Sequence, residues 1–330
     1  MTEHSVTLRD AQTGSEAKIL TSRGFNCYQF RAVFESEAVD VLWAESGFEN
    51  GAGSAAVSGM PLLFPYPGRI RGKVFEWQGR SYPLEGDDGL GNAIHGFVLD
   101  RPWRVLEQTA TQVVGQFQAA VDASELLHAW PADFRITATY ELAGRTLLSR
   151  FHIENPGDRP LPFGFGAHPY FRVPLGGSTA DECRVVLPFS RRWELENMLP
   201  TGKQVAAFSQ STARTFPSTL SAVNLQQGMA FADVVLDDVF TGLEFADGWC
   251  SCRIRDAASK RELTLKFDES FRACVVYTPP HREAISIEPL TCVPNAYELS
   301  QQNIDAGLRV LAPGESLQLQ AMLTVDPLRK

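Results

Sequence analysis

Two histidines, a glutamate and an arginine stand in surroundings that ionisable side chains seldom occupy. His95 falls in Asn92-Ala93-Ile94-His95-Gly96-Phe97, and His168 in Phe163-Gly164-Phe165-Gly166-Ala167-His168-Pro169-Tyr170-Phe171. Glu288 ends the run Ile285-Ser286-Ile287 and is followed by Pro289, while Arg69 follows Phe64-Pro65-Tyr66-Pro67-Gly68. Each alone has a bland explanation. His168 could be a hydrogen-bonded structural residue, and Glu288 could be half of a salt bridge whose other half is Arg69. Together they suit a pocket that needs one acid, one base and a positive anchor. Phe64, Tyr66, Phe97, Tyr170 and Phe171 would suit stacking on the apolar face of a sugar.

These residues must be positioned by strands. Ile136, Ala138, Tyr140 and Leu142 alternate with polar residues, Ala143-Gly144 supplies a turn, and Leu147, Ser149, Phe151 and Ile153 continue the rhythm. Leu263, Leu265 and Phe267 alternate in the same way, as do Leu317, Leu319, Ala321, Leu323 and Val325. Glycine and proline punctuate the gaps, at Asn155-Pro156-Gly157, Gly176-Gly177 and Pro313-Gly314. Helical periodicity is confined to Ser124–Trp130, stopped by Pro131. The pattern predicts an all-β sandwich or barrel. With no repeat, low-complexity tract or long linker, residues 1–330 read as a single domain.

Composition narrows the function. A net charge of −9 and the lack of a Lys/Arg stripe argue against nucleic acid and anionic membrane as partners. No apolar run approaches the roughly 18 residues that span a bilayer. The first 20 residues carry no apolar segment of the kind that begins a secretory signal, so the expected location is cytoplasmic. The six scattered cysteines are no disulfide framework in so long a chain, and Cys250-x-Cys252 lacks a second pair to complete a zinc site. All six are expected to be reduced.

The chemical segments resemble the aldose 1-epimerase (galactose mutarotase) family from about Met60 to Val325. Five of its motifs, F-P-x-P-x-R-I, N-x-x-H-G, G-x-H-P-Y-F, D-x-x-F and V-x-x-E-P-x-T-x-x-P-N-A, have counterparts in the family's order. The resemblance implies a large antiparallel β-sandwich of the supersandwich type and an enzyme that interconverts the α and β anomers of a neutral hexose. It implies His168 as general acid on the ring oxygen, Glu288 as general base on the anomeric hydroxyl, and His95 as the group polarising the ring-oxygen region. Arg69, Asp237, Asn92 and Tyr170 would bind substrate. Asp238 is an adjacent rival to Asp237, because Asp237-Asp238-Val239-Phe240 offers two carboxylates and only the first keeps the D-x-x-F spacing.

The reaction needs no metal, nucleotide or redox cofactor, and no phosphate-binding glycine loop or close metal-ligand spacing is present. A small-molecule sugar is the expected partner, with oligomeric state left open between monomer and homodimer. Three alternatives differ in class. A hexose-6-phosphate 1-epimerase would want clustered arginines, for which Arg69 and Arg71 are candidates. A non-catalytic sugar-binding protein could dispense with the acid–base pair. A metal enzyme would use His95, His168 and Glu288 as ligands.

Overall fold

The computed structural model describes residues 5–35, 37–177, 179–209 and 227–328. Antiparallel sheets dominate it, in agreement with the period-two reading. A ten-stranded sheet contains Arg135–Ala143, Thr146–Glu154, Arg261–Asp268 and Ser316–Pro327. The predicted hairpin forms with Leu142 opposite Leu147 and Ile136 opposite Ile153. Ser316–Pro327 then pairs with Thr146–Glu154 on one side and Arg261–Asp268 on the other. Alternation does its usual work in these strands. Ile136, Ala138, Tyr140, Phe151, Leu265, Phe267, Leu319 and Leu323 point inward and are buried, while Thr137, Thr139 and His152 stay partly open.

An eight-stranded sheet is the second layer, and it carries the polar residues of interest. Its central strand, Ala284–Leu290, is buried along its whole length. One side chain of each adjacent pair joins the core shared with the ten-stranded sheet, among them Ile285, Ile287, Val276 and Phe240. Val239, Ala273 and Leu290 lie on the other face, in a second apolar cluster with Trp193, Val293 and Leu299. A four-stranded antiparallel sheet of residues 5–9, 16–20, 26–34 and 37–40 completes the N-terminal part.

Helix is scarce. Leu126–Ala129 lies within the segment read as helical and ends before Pro131. Ala119–Asp122 and Ala296–Gln301 are helical without having been read so. The latter is a short helix whose first residue follows Pro294-Asn295, and Asn295 sits in the left-handed region with φ 58°. Its two buried residues, Ala296 and Leu299, are too few to produce a legible helical period. All six cysteines are free and buried. No helix among the described residues is long and apolar enough to cross a membrane.

Candidate active site

Strand register alone brings most of the site together. Ala284–Leu290 pairs with Ala273–Tyr277, which pairs with Asp237–Leu243. On its other edge Tyr170 lies opposite Ser286 and Gly166 opposite Leu290, so His168, midway between, comes opposite Glu288. Residues opposite one another across antiparallel strands share a face. One row on the open face is therefore Asp237, Tyr277, Ser286 and Tyr170, and the next is Val239, Val275, Glu288 and His168. Asp238 is in the row of Val276 and Ile287, which faces the core.

A cleft of about 370 Å³ opens over these rows. Tyr170, Asp237, Tyr277, His168 and Glu288 form its floor, and Arg69, Ile94 and His95 one wall. Leu195, Met198, Asp87, Asp88 and the loop at Ala56-Val57 also line it. The wall is built by a two-strand ladder in which Arg69 pairs with Ile94. It sits very close to its neighbours. Gly96, at φ 75°, leaves no room for a Cβ, which would lie 2.1 Å from the Phe64 carbonyl oxygen. Gly68, at φ 65°, packs against Pro294, whose Cγ would be 2.5 Å from such an atom. The glycines flanking Arg69 and His95 are thus what let these backbones approach.

His168 and Glu288 are 5% and 3% exposed and touch, Nε2 to Oε1 at 3.1 Å. Burial pushes the Glu288 carboxyl well above its usual range, helped by the nearby negative Asp237. Burial likewise holds His168 well below the usual histidine value, with His95 adding to the effect. The His168 ring stacks on Tyr170, centroids 4.7 Å apart, and meets His95 edge-on at 5.4 Å. His95 is itself brought down to about 3 by burial and by the Arg69 charge, and its buried Nδ1 has no hydrogen-bond partner.

Arg69 is held by a carboxylate that sequence reasoning missed. Its Nε donates to Asp88 Oδ2 at 2.8 Å, and the Asp88 side chain is fully buried. Asp88 also accepts from the Leu90 and Asn92 amides and from Asn92 Nδ2. Burial works against the charge on Asp88, but these hydrogen bonds outweigh it and leave the carboxyl well below the usual range. The available signal was an acid four residues before Asn92, the spacing of a side chain closing its own loop.

Two expectations need correction. Asn92 does not line the cleft. It is 5% exposed, donates to Asp88 through Nδ2 and accepts the Gly72 amide through Oδ1, so its side chain is spent on the loop. Of the five aromatics expected to face a ligand, Tyr170 alone lines the cleft. Phe64, Tyr66 and Phe171 are core, and Phe97 packs on it, because large apolar rings repay burial better than exposure. Arg71 is turned to Glu298 at 2.9 Å and is outside the cleft. Among the described residues no three His, Cys, Asp or Glu side chains converge in a way that could hold a metal ion.

Relatives share this architecture. The backbone superposes on a galactose mutarotase-like protein from Clostridium acetobutylicum with TM-score 0.84 at 22% identity, covering 99% of this chain and 96% of that one. A galactose 1-epimerase from Lactobacillus acidophilus gives TM-score 0.68 at 18% identity, over 98% of this chain and 94% of that one. At such identities the likeness establishes the fold. In sequence, the Escherichia coli K12 protein YihR is 26% identical over 243 residues, 72% of this chain and 70% of that protein. The aldose 1-epimerase family profile matches residues 30–324, nearly the whole chain, and the protein therefore belongs to the aldose 1-epimerase family.

Proposed function

We propose that the protein is a mutarotase that interconverts the α and β anomers of a neutral hexose, with Glu288 as base and His168 as acid. The observation that carries the reading is the buried contact between these two side chains, whose proton affinities burial moves in opposite directions. An anomeric hydroxyl is a weak acid and a ring ether a weak base. A carboxylate with a raised pKa is a stronger base, and an imidazolium with a lowered pKa a stronger acid. The oxygens to be served, O1 and the ring oxygen, are bonded to the same carbon, so an acid and a base side by side match the geometry of the task.

In the forward step Glu288 takes the proton of the anomeric hydroxyl, the bond between C1 and the ring oxygen breaks, and that oxygen takes the proton from His168 Nε2. The products are an open-chain aldehyde, a neutral imidazole and a protonated carboxyl, the uncharged pair that burial favours. Rotation about C1–C2 presents the other face, and reclosure returns both protons. Arg69 and Asp237 bind hydroxyls, His95 polarises the ring-oxygen region, and Tyr170 orders the His168 ring.

A neutral substrate fits the cleft best, because among the described residues the one arginine lining it already faces a carboxylate. Arg69 is committed to Asp88 and Arg71 to Glu298, and the other charged groups lining the cleft are Asp87, Asp237 and Glu288. Polarimetry on freshly dissolved α-D-glucose and α-D-galactose tests the proposal, with the corresponding 6-phosphates alongside. Acceleration with neutral aldoses and little with the phosphates is expected. No rate above buffer across a panel of neutral aldoses sinks it, and preference for the phosphates transfers the reading to a hexose-6-phosphate 1-epimerase.

A further inference from the structure

We infer that Ser286 is a positioning residue that, with the Pro169 carbonyl, fixes a proton on His168 Nδ1 and leaves Nε2 as the nitrogen that exchanges protons with Glu288 and the sugar. The hydrogen-bond assignment is independent of the proposed reaction; its functional consequence rests on that reading.

A serine hydroxyl has one proton to give. Ser286 Oγ is 3.0 Å from the Pro169 carbonyl oxygen, which can only accept, and 2.8 Å from His168 Nδ1. The hydroxyl proton therefore goes to oxygen, a lone pair faces Nδ1, and Nδ1 must donate. Ser286 is fully buried. A bare Nδ1 would set two lone pairs against each other away from water.

The far side of the ring is arranged in the same way. Tyr170 gives its hydroxyl proton to the Ala56 carbonyl at 3.2 Å, so its oxygen presents a lone pair to Nε2 at 3.4 Å. Glu288 Oε1 meets Nε2 at 3.1 Å. Both oxygens at Nε2 can receive a hydrogen bond, so this nitrogen is supported when protonated and can hand its proton over when it acts. If the neutral ring took the opposite tautomer, Nε2 would carry the proton of a neutral imidazole, a far weaker acid than imidazolium. Register makes the device: Ser286 lies opposite Tyr170 and one step along the open face from Glu288.

The test is long-range proton–nitrogen NMR on the full-length protein, labelled with ¹⁵N-histidine. The sequence has six histidines, and the His168 signals are those lost in His168→Asn. The wild type should show a protonated Nδ1. Ser286→Ala should move His168 toward the Nε2–H tautomer and lower kcat about tenfold or more with KM little changed. A bare Nδ1 in the wild type overturns the inference, as does a folded Ser286→Ala protein that keeps both the Nδ1–H signature and full kcat. Should the variant fail to fold, the wild-type spectrum still decides. A protonated Nδ1 in a protein with no mutarotation supports the hydrogen-bond assignment and sinks the proposed reaction instead.

Discussion

Among the described residues, two of the concave polar surfaces with room for a sugar differ in what lies beneath them. On the outer face of the ten-stranded sheet, Thr137, Thr139, Arg150, His152, Gln318 and Gln320 line a trough of about 490 Å³. On the open face of the eight-stranded sheet is the smaller cleft of about 370 Å³ over Glu288 and His168. The trough is larger, yet its polar groups are the solvent-facing half of alternating strands, and its ion pair Arg150–Glu141 is 48% and 38% exposed. In the cleft the ionisable groups are desolvated and pressed against one another. Volume and polarity are shared by both surfaces. What separates them is the cost of keeping a charge, and that cost is what shifts proton affinity toward chemistry.

The largest expected effect follows directly. Glu288→Gln and His168→Asn should each lower kcat by about 10²–10⁴ in polarimetric assays, the usual worth of a positioned acid or base. The double variant should lose far less than the product of the two losses, since the pair acts as a unit. Stability should move the other way. Burial raises the Glu288 pKa, so its contribution to folding is fully present below the unfolded value of 4.5 and is lost as pH rises through the folded one. Glutamine has no such dependence. The Tm of Glu288→Gln, measured by calorimetry against wild type, should therefore gain on it as pH rises from about 4.5 upward. A folded Glu288→Gln protein with near wild-type mutarotation would refute the site.

Asp88→Asn comes next. It removes the charge facing Arg69 and places a donor among groups that already donate. A drop in kcat/KM of about ten- to a hundredfold is expected, the worth of a hydrogen bond to a charged partner, with Asp88→Ala no better. The comparison would break if Asp88→Asn left Arg69 function intact, because the cleft would then not depend on its buried supports.

The trough strands were legible and the cleft was legible only in part, for one physical reason. Residues 135–154 and 316–327 have one wet face and one dry face, so period-two alternation is written in their side chains. Ala284–Leu290 is dry on both faces and shows no alternation to read. Glu288, His168, His95 and Arg69 stood out by their apolar surroundings and took their expected roles from the family resemblance, and neither says which strands join them. Asp88 was hidden in a turn and Ser286 in an apolar run, although a serine two residues before a buried acid on a strand must share its face. The aromatics failed for the opposite reason: ring size argues for the core at least as strongly as for a ligand, as Phe64 and Phe171 demonstrate.

Asp237 and Asp238 set the same contrast within one dipeptide. Asp237 lines the cleft, while Asp238 is 2% exposed on the core side of its strand and accepts the Asp237 amide through Oδ2 at 3.3 Å. Asp237→Asn is expected to raise KM for hexoses severalfold, as the loss of one charged hydrogen bond would, with little change in Tm. Asp238→Asn should lower Tm and leave KM alone. Steady-state kinetics with thermal melts on both variants separates the two roles, and the reverse ranking would mean that the strand presents its other face to the sugar.

The smallest effect is predicted for the trough, and it is the sharpest check on the argument from desolvation. Arg150→Ala removes the ion pair with Glu141 at 2.8 Å and one wall of the larger cavity. Both partners are substantially exposed, so water screens their attraction and replaces it when it is lost, and such pairs are worth roughly 0–1 kcal/mol. Arg150 sits opposite Thr139 and Gln320 on neighbouring strands, and the inward residues Ala138, Phe151 and Leu319 that hold the sheets together are untouched. The substitution should change Tm by no more than a degree or two, consistent with that energy, and leave kcat, KM and hexose binding as in wild type. Isothermal titration with a hexose on Glu288→Gln, with and without Arg150→Ala, should give one site of equal affinity in both. If the trough substitution lowered either affinity or turnover, polarity and room would have sufficed to make a sugar site, and buried charge would not be what distinguishes the cleft.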